Sequence, residues 1–143
     1  MLRMERVPKS VGDTLFANMV EALTTLSSEM QNFLKELIAR HDPRGHYLYI
    51  SGAKTLDELP SAVHPAVRTH PISGKEALKV NDGFVGKIVE LSESESGALL
   101  KILYDHIEHS VNIQCGVPWE PDTVVFWDNR IVQHMPLLIT HSQ

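Results

Sequence analysis

Histidines and carboxylates are the side chains that bind metals and move protons near neutral pH, and this chain of 143 residues holds 8 histidines. One place sets a histidine two residues before a carboxylate, His106-Ile-Glu108, and a further imidazole follows at His109. On a helix, His106 and His109 would stand close enough to share a metal ion. Metal sites need more convergent ligands, however, and an exposed helix end accounts for both residues. His134, taken alone, reads as a structural histidine. Arg68 and His70 lie on a short strand beside turn residues and read as packing and turn groups. The lone cysteine, Cys115, rules out an intrachain disulfide and a zinc site built on several thiolates, and reads as a small buried hydrophobe.

The elements that must position these groups follow from spacing. Val11 to Phe16 reads as a loop running into a strand, with Thr14 at the junction. From Ser28 to Arg40, Met30, Phe33, Leu34, Leu37 and Ile38 recur at helical spacing, and Ser28 with Gln31 forms a capping box. Pro43 lies just beyond and ends that helix. The stretch from His46 to Val63, including Tyr47-Leu-Tyr49, reads as an irregular surface crossing. Residues 66–70 and 77–80 are strand candidates joined by Pro71-Ile-Ser-Gly74, which predicts a hairpin. Ser92 and Glu95 make another capping box, and Leu99, Leu100, Leu103, Tyr104 and Ile107 continue it as an amphipathic helix. Strands are predicted over 112–117, 123–127 and 131–134.

Composition excludes some classes. A formal charge of -5 and the lack of any basic run with interleaved aromatics argue against nucleic acid as a partner. No apolar run approaches the ~20 residues of a membrane helix, and the first residues carry no signal-peptide core, so a cytoplasmic protein is expected. The length suits one domain over residues 1–143, of mixed α+β or β-sandwich type.

Residue identity goes further than pattern. His64-Pro-Ala-Val-Arg-Thr-His-Pro71, Gly74, Leu78, Val80-Asn-Asp-Gly-Phe84, Trp119-Glu-Pro121, Trp127-Asp-Asn-Arg130 and His134 stand in order along the chain, after Gly12-Asp-Thr-Leu-Phe16. This succession of blocks resembles the taurine dioxygenase (TauD/TfdA) family of Fe(II)/2-oxoglutarate-dependent dioxygenases. The resemblance implies a mainly β fold with packed helices (α+β), a double-stranded β-helix or jelly roll. It also implies oxidative hydroxylation of a small anionic, sulfonate-like substrate.

The resemblance further implies roles for single residues. His134 matches a histidine that holds the iron, in an arrangement of two histidines and one carboxylate. Thr14 matches a threonine that contacts 2-oxoglutarate, and Phe84 matches a position lining the substrate pocket. Trp127 would pack beside the metal. The remaining ligands, a His-x-Asp motif, precede the Gly-Asp-Thr block in the family, and the arginine that pairs with 2-oxoglutarate follows the second histidine. Neither is among residues 1–143, so the expectation is a jelly-roll domain incomplete at both ends, inactive by itself. Alternatives are a non-catalytic module that pairs with a full-length relative, a homo-oligomer, or the product of a truncated gene.

Overall fold

Among the described residues, polar residues with short side chains precede the α-helices, because their oxygens can accept the otherwise unpaired first amides. The computed structural model describes residues 1–7, 12–42, 51–52, 54–55 and 58–136. Strand β1 is Leu2–Arg3 and β2 is Thr14–Asn18; helix α1 follows directly as Met19–Thr24. Asn18 caps α1, its Oδ1 accepting from Val20 and Glu21 amides, an element not anticipated from the sequence. Helix α2 is Ser28–Lys35, and its cap is Ser27 rather than Ser28, with Oγ accepting from the Met30 amide. Gln31 takes no part in a capping box; it reaches back to the Leu26 carbonyl at 2.8 Å.

The helix expected to run to Arg40 stops at Lys35, and Ile38–His41 is strand β3. β3 is paired on both sides, with β4 (Ala62–Pro65) and with β7 (Val85–Ile88). The physical reason is an ambiguous period: Leu37 and Ala39 are buried while Ile38 is 37% exposed, an alternation of two that a helical reading of the same residues overlooks. Pairing on two edges then outweighs the local helical preference. Phe33, placed in the buried stripe by spacing, is 45% exposed on α2, where Leu34 is the buried residue. Ala62 and Val63 belong to β4, not to an irregular crossing, whereas Tyr47-Leu-Tyr49 lies outside the described residues.

The predicted hairpin is present: β5 (Val67–Thr69) pairs antiparallel with β6 (Glu76–Leu78), Arg68 opposite Ala77. Its connection closes with Gly74 at φ 69°, and the Gly74 amide bonds the His70 carbonyl at 2.9 Å. Helix α3, Glu93–His109, starts with the predicted capping box between Ser92 and Glu95 and packs against β7. Within it, Ser96 Oγ accepts from the Ile88 amide, and Tyr104 donates to the Val85 carbonyl at 2.6 Å. A 3-10 turn, Val111–Ile113, replaces the start of the predicted strand, leaving β8 as Gln114–Val117. β9 is only Val124–Val125, paired with β1, and β10 is Val132–Pro136.

The described strands form sheets in the orders β10-β2-β8, β4-β3-β7, β5-β6 and β1-β9. A core of Leu23, Leu34, Leu78, Val80, Val85, Ile88, Leu99 and Leu103, among others, joins the helices to these sheets. Full burial of each such side chain is worth roughly 1.5–3 kcal/mol. Ala17 belongs to this core, but Phe16 next to it is buried elsewhere, so sheet β10-β2-β8 has one packed face and one of a different kind.

Candidate active site

That second face is where the sequence-marked residues meet. β10 runs antiparallel to β2 with His134 opposite Phe16 and Pro136 opposite Thr14, while β8 places Cys115 opposite Phe16 and Val117 opposite Thr14. Directly paired residues share a face, and so do residues two apart. Thr14, Phe16 and His134 therefore project to one side, and Ala17 and Gln133 to the other.

His134 is exposed, and aromatic rings flank it. Its ring centroid lies 4.8 Å from that of Trp127 and 5.9 Å from that of Phe16, the latter nearly parallel at 26°. Trp127 in turn meets Phe16 edge-on at 5.2 Å. Such contacts orient a ring's plane without occupying its nitrogens. Among the described residues no hydrogen bond engages the His134 ring, leaving its nitrogens available to a ligand. Thr14 is buried, and its Oγ1 accepts from Trp119 Nε1 at 2.9 Å across 105 residues of sequence. A hydroxyl has one proton to donate and two lone pairs. The indole uses a lone pair, so the Thr14 proton is left to donate.

A charged turn delivers β10 to this position. Asp128 Oδ1 accepts from the Arg130 amide at 2.9 Å and from its Nε at 2.8 Å, and Oδ2 accepts from Nη2 at 2.6 Å. These bonds hold the Asp128 carboxyl far below the usual carboxylate range and raise the Arg130 guanidinium. Buried His70 joins the turn to the β5–β6 hairpin: its Nε2 lies 3.1 Å from Asp128 Oδ2, and its Nδ1 accepts from the Ser73 amide at 3.1 Å. Because Nδ1 accepts, Nε2–H donates to the carboxylate. The packing and turn role expected of His70 holds, with the addition of this bond across 58 residues.

Other expectations fare differently. Phe84 lies in the turn between β6 and β7, 38% exposed, with its carbonyl accepting from the Asp42 amide at 2.8 Å. Cys115 is exposed, not buried, because β8 is an edge strand of its sheet. His106 Nε2 is held between the Ala22 carbonyl at 3.0 Å and Thr25 Oγ1 at 3.1 Å, which ties α3 to α1 and explains it without metal. Sequence reading marked Trp119 and His64 only as members of blocks, and missed the Trp119–Thr14 bond and the pair His41–His64, whose rings meet at 5.1 Å. His41 Nε2 is buried with no partner among the described residues. Burial, followed by the fields of His64, Lys79 and Arg68, lowers the His41 pKa. His64 stands within a marked block, but nothing local links it to His41, read as a helix stop.

An Fe(II) centre of two histidines and a carboxylate can be tested against these residues. Among the described residues, the group of three potential metal ligands with converging atoms is Asp105, Glu108 and His109, all exposed on α3 and without His134. The residues present thus offer one fitting ligand and not a full set. No helix among the described residues is long and apolar enough to cross a membrane.

The chain is 41% identical over 133 residues to an alpha-ketoglutarate-dependent sulfonate dioxygenase of Saccharomyces cerevisiae, covering 92% of this chain and 32% of that protein. It is 33% identical over 147 residues to an alpha-ketoglutarate-dependent sulfate ester dioxygenase of Pseudomonas putida, covering 94% and 48%. Among solved structures, a taurine dioxygenase from Burkholderia xenovorans superposes with a TM-score of 0.80 at 30% identity, over 92% of this chain and 42% of that one. The chain thus spans about a third of the length of the Saccharomyces relative and under half of the other two. Residues 1–136 match the family described as "Taurine catabolism dioxygenase TauD, TfdA family", and the chain belongs to it.

Proposed function

We propose that this chain forms part of the catalytic face of an Fe(II)- and 2-oxoglutarate-dependent dioxygenase acting on a small sulfonate-like anion. His134 would be an iron ligand, Thr14 a hydrogen-bond donor to 2-oxoglutarate and Phe84 an apolar wall for substrate, on a sheet of a double-stranded β-helix. When bound, the iron and 2-oxoglutarate supply the oxidising chemistry. The carrying observation is the register of β2 and β10, with His134 opposite Phe16 and Thr14 two residues along the same face. An available imidazole beside a buried hydroxyl with a proton to give suits a metal and a carboxylate side by side. The names of the Saccharomyces and Pseudomonas relatives support a sulfonate or sulfate ester as the substrate class.

The ligand set requires residues beyond those described, so the 143-residue chain alone should give no metal-to-ligand absorption band with anaerobic Fe(II) and 2-oxoglutarate. Grafting residues 12–136 of this chain into the Saccharomyces relative, in place of its matching segment, should give a chimera with that band. His134→Ala in the chimera should abolish it. A band of undiminished intensity in that variant would remove His134 from the iron and sink the reading.

A further inference from the structure

We propose that Arg68, Lys79 and Arg130 form a binding site for a small inorganic oxyanion, sulfate or phosphate, built from the β5–β6 hairpin and the turn before β10. The three side chains line one recess with Thr69, His70 and Pro71, of about 50 Å³. That volume exceeds the roughly 10–15 Å³ that one water needs in a cavity and falls far below a pocket for an organic ligand, about 300–1,000 Å³.

Among the described residues, the carboxylate bonded at this recess is Asp128, and its oxygens are already engaged by Arg130 and His70. No acid among the described residues pairs with Arg68. Lys79 donates one proton to the Asn129 carbonyl at 3.1 Å, and an ammonium has two more. Three cations thus face one committed carboxylate, in a chain whose net charge is -5. Like charges on a freely solvated surface would spread apart; here strand register holds Arg68 and Lys79 on neighbouring positions of one hairpin face. Lys79 has a lowered pKa, through burial first and the field of Arg68 second. A doubly charged oxyanion would relieve both effects by accepting the free N–H groups of lysine and arginine.

The test is an amide-shift titration of the 143-residue chain with sodium sulfate and with sodium phosphate, against sodium chloride at matched ionic strength. Expected are saturable shifts at Thr69, His70 and Lys79 with either oxyanion and none with chloride. Lys79→Gln and Arg68→Gln should each weaken binding about tenfold, the loss of one charge-assisted hydrogen bond. Lys79→Arg should keep it, and Lys101→Gln on α3 should change nothing. Shifts that follow ionic strength without saturating, or that chloride reproduces, would overturn the proposal. That outcome is read on the unsubstituted chain and does not depend on any variant folding. Unchanged affinity in folded Lys79→Gln would overturn it equally.

Discussion

Gln133 and His134 are consecutive residues of β10 that point to opposite sides of one sheet, and their surroundings share almost nothing. Gln133 donates through Nε2 to the Val80 carbonyl and accepts from Asn81 Nδ2 at 3.2 Å, on the side where Ala17 enters the core. His134 lies against Trp127 and Phe16 with no hydrogen bond among the described residues. One side ties its amide by a donated and an accepted hydrogen bond; the other holds a ring in place and leaves its nitrogens open. The strand's period of two separates the hydrogen-bonded side from the open one with a single step along the chain. A one-residue slip of β10 would therefore lose both, which explains why the turn feeding it is fixed so heavily by Asp128, Arg130 and His70.

The contrast predicts unequal costs. The largest belongs to the packed side: Leu103→Ala, at a fully buried position on the inner face of α3, should destabilise by about 2–5 kcal/mol in denaturant unfolding. Next comes the polar lock. Gln133→Leu leaves the Val80 carbonyl and the Asn81 amide without these bonds, at a cost of about 1–3 kcal/mol. A Gln133→Leu protein as stable as the original would mean that the two sides of β10 are not distinct in kind.

How far these features could be read in advance depends on how local their causes are. The α3 boundary was legible because Ser92 and Glu95 satisfy each other within one turn. The β5–β6 hairpin was legible because its turn carries Gly74 at positive φ. Thr14 and His134 were legible only as members of ordered blocks; nothing in their own neighbourhoods distinguishes them from structural residues. β3 was not, since Leu37 and Ala39 satisfy two periods and the choice is made by β4 and β7 from far along the chain. The Trp119–Thr14 and His70–Asp128 bonds, and the His41–His64 contact, join residues that no window of sequence holds together.

His41 offers a smaller effect that sharpens the comparison by pH. Its pKa is lowered in the folded protein, so between that value and the ordinary 6.5 the unfolded chain binds more protons than the folded one. Stability must then rise with pH through this window and fall on acidification below 6.5. His41→Gln should flatten the change in urea midpoint between about pH 7.5 and about pH 5.5. An identical slope in the variant would assign the acid sensitivity to other groups.

The smallest effect on stability should come from the residue with the largest consequence for chemistry. His134→Ala removes an exposed ring whose contacts are aromatic only, so the unfolding free energy should change by less than about 1 kcal/mol. The same substitution in the chimera should eliminate the metal-to-ligand band. Stability and metal binding would then be separable at one position, as expected of a side chain held in place for a ligand rather than for the fold. If His134→Ala instead destabilised the chain as much as Gln133→Leu, the aromatic side would be a second core, and the imidazole a packing group within it.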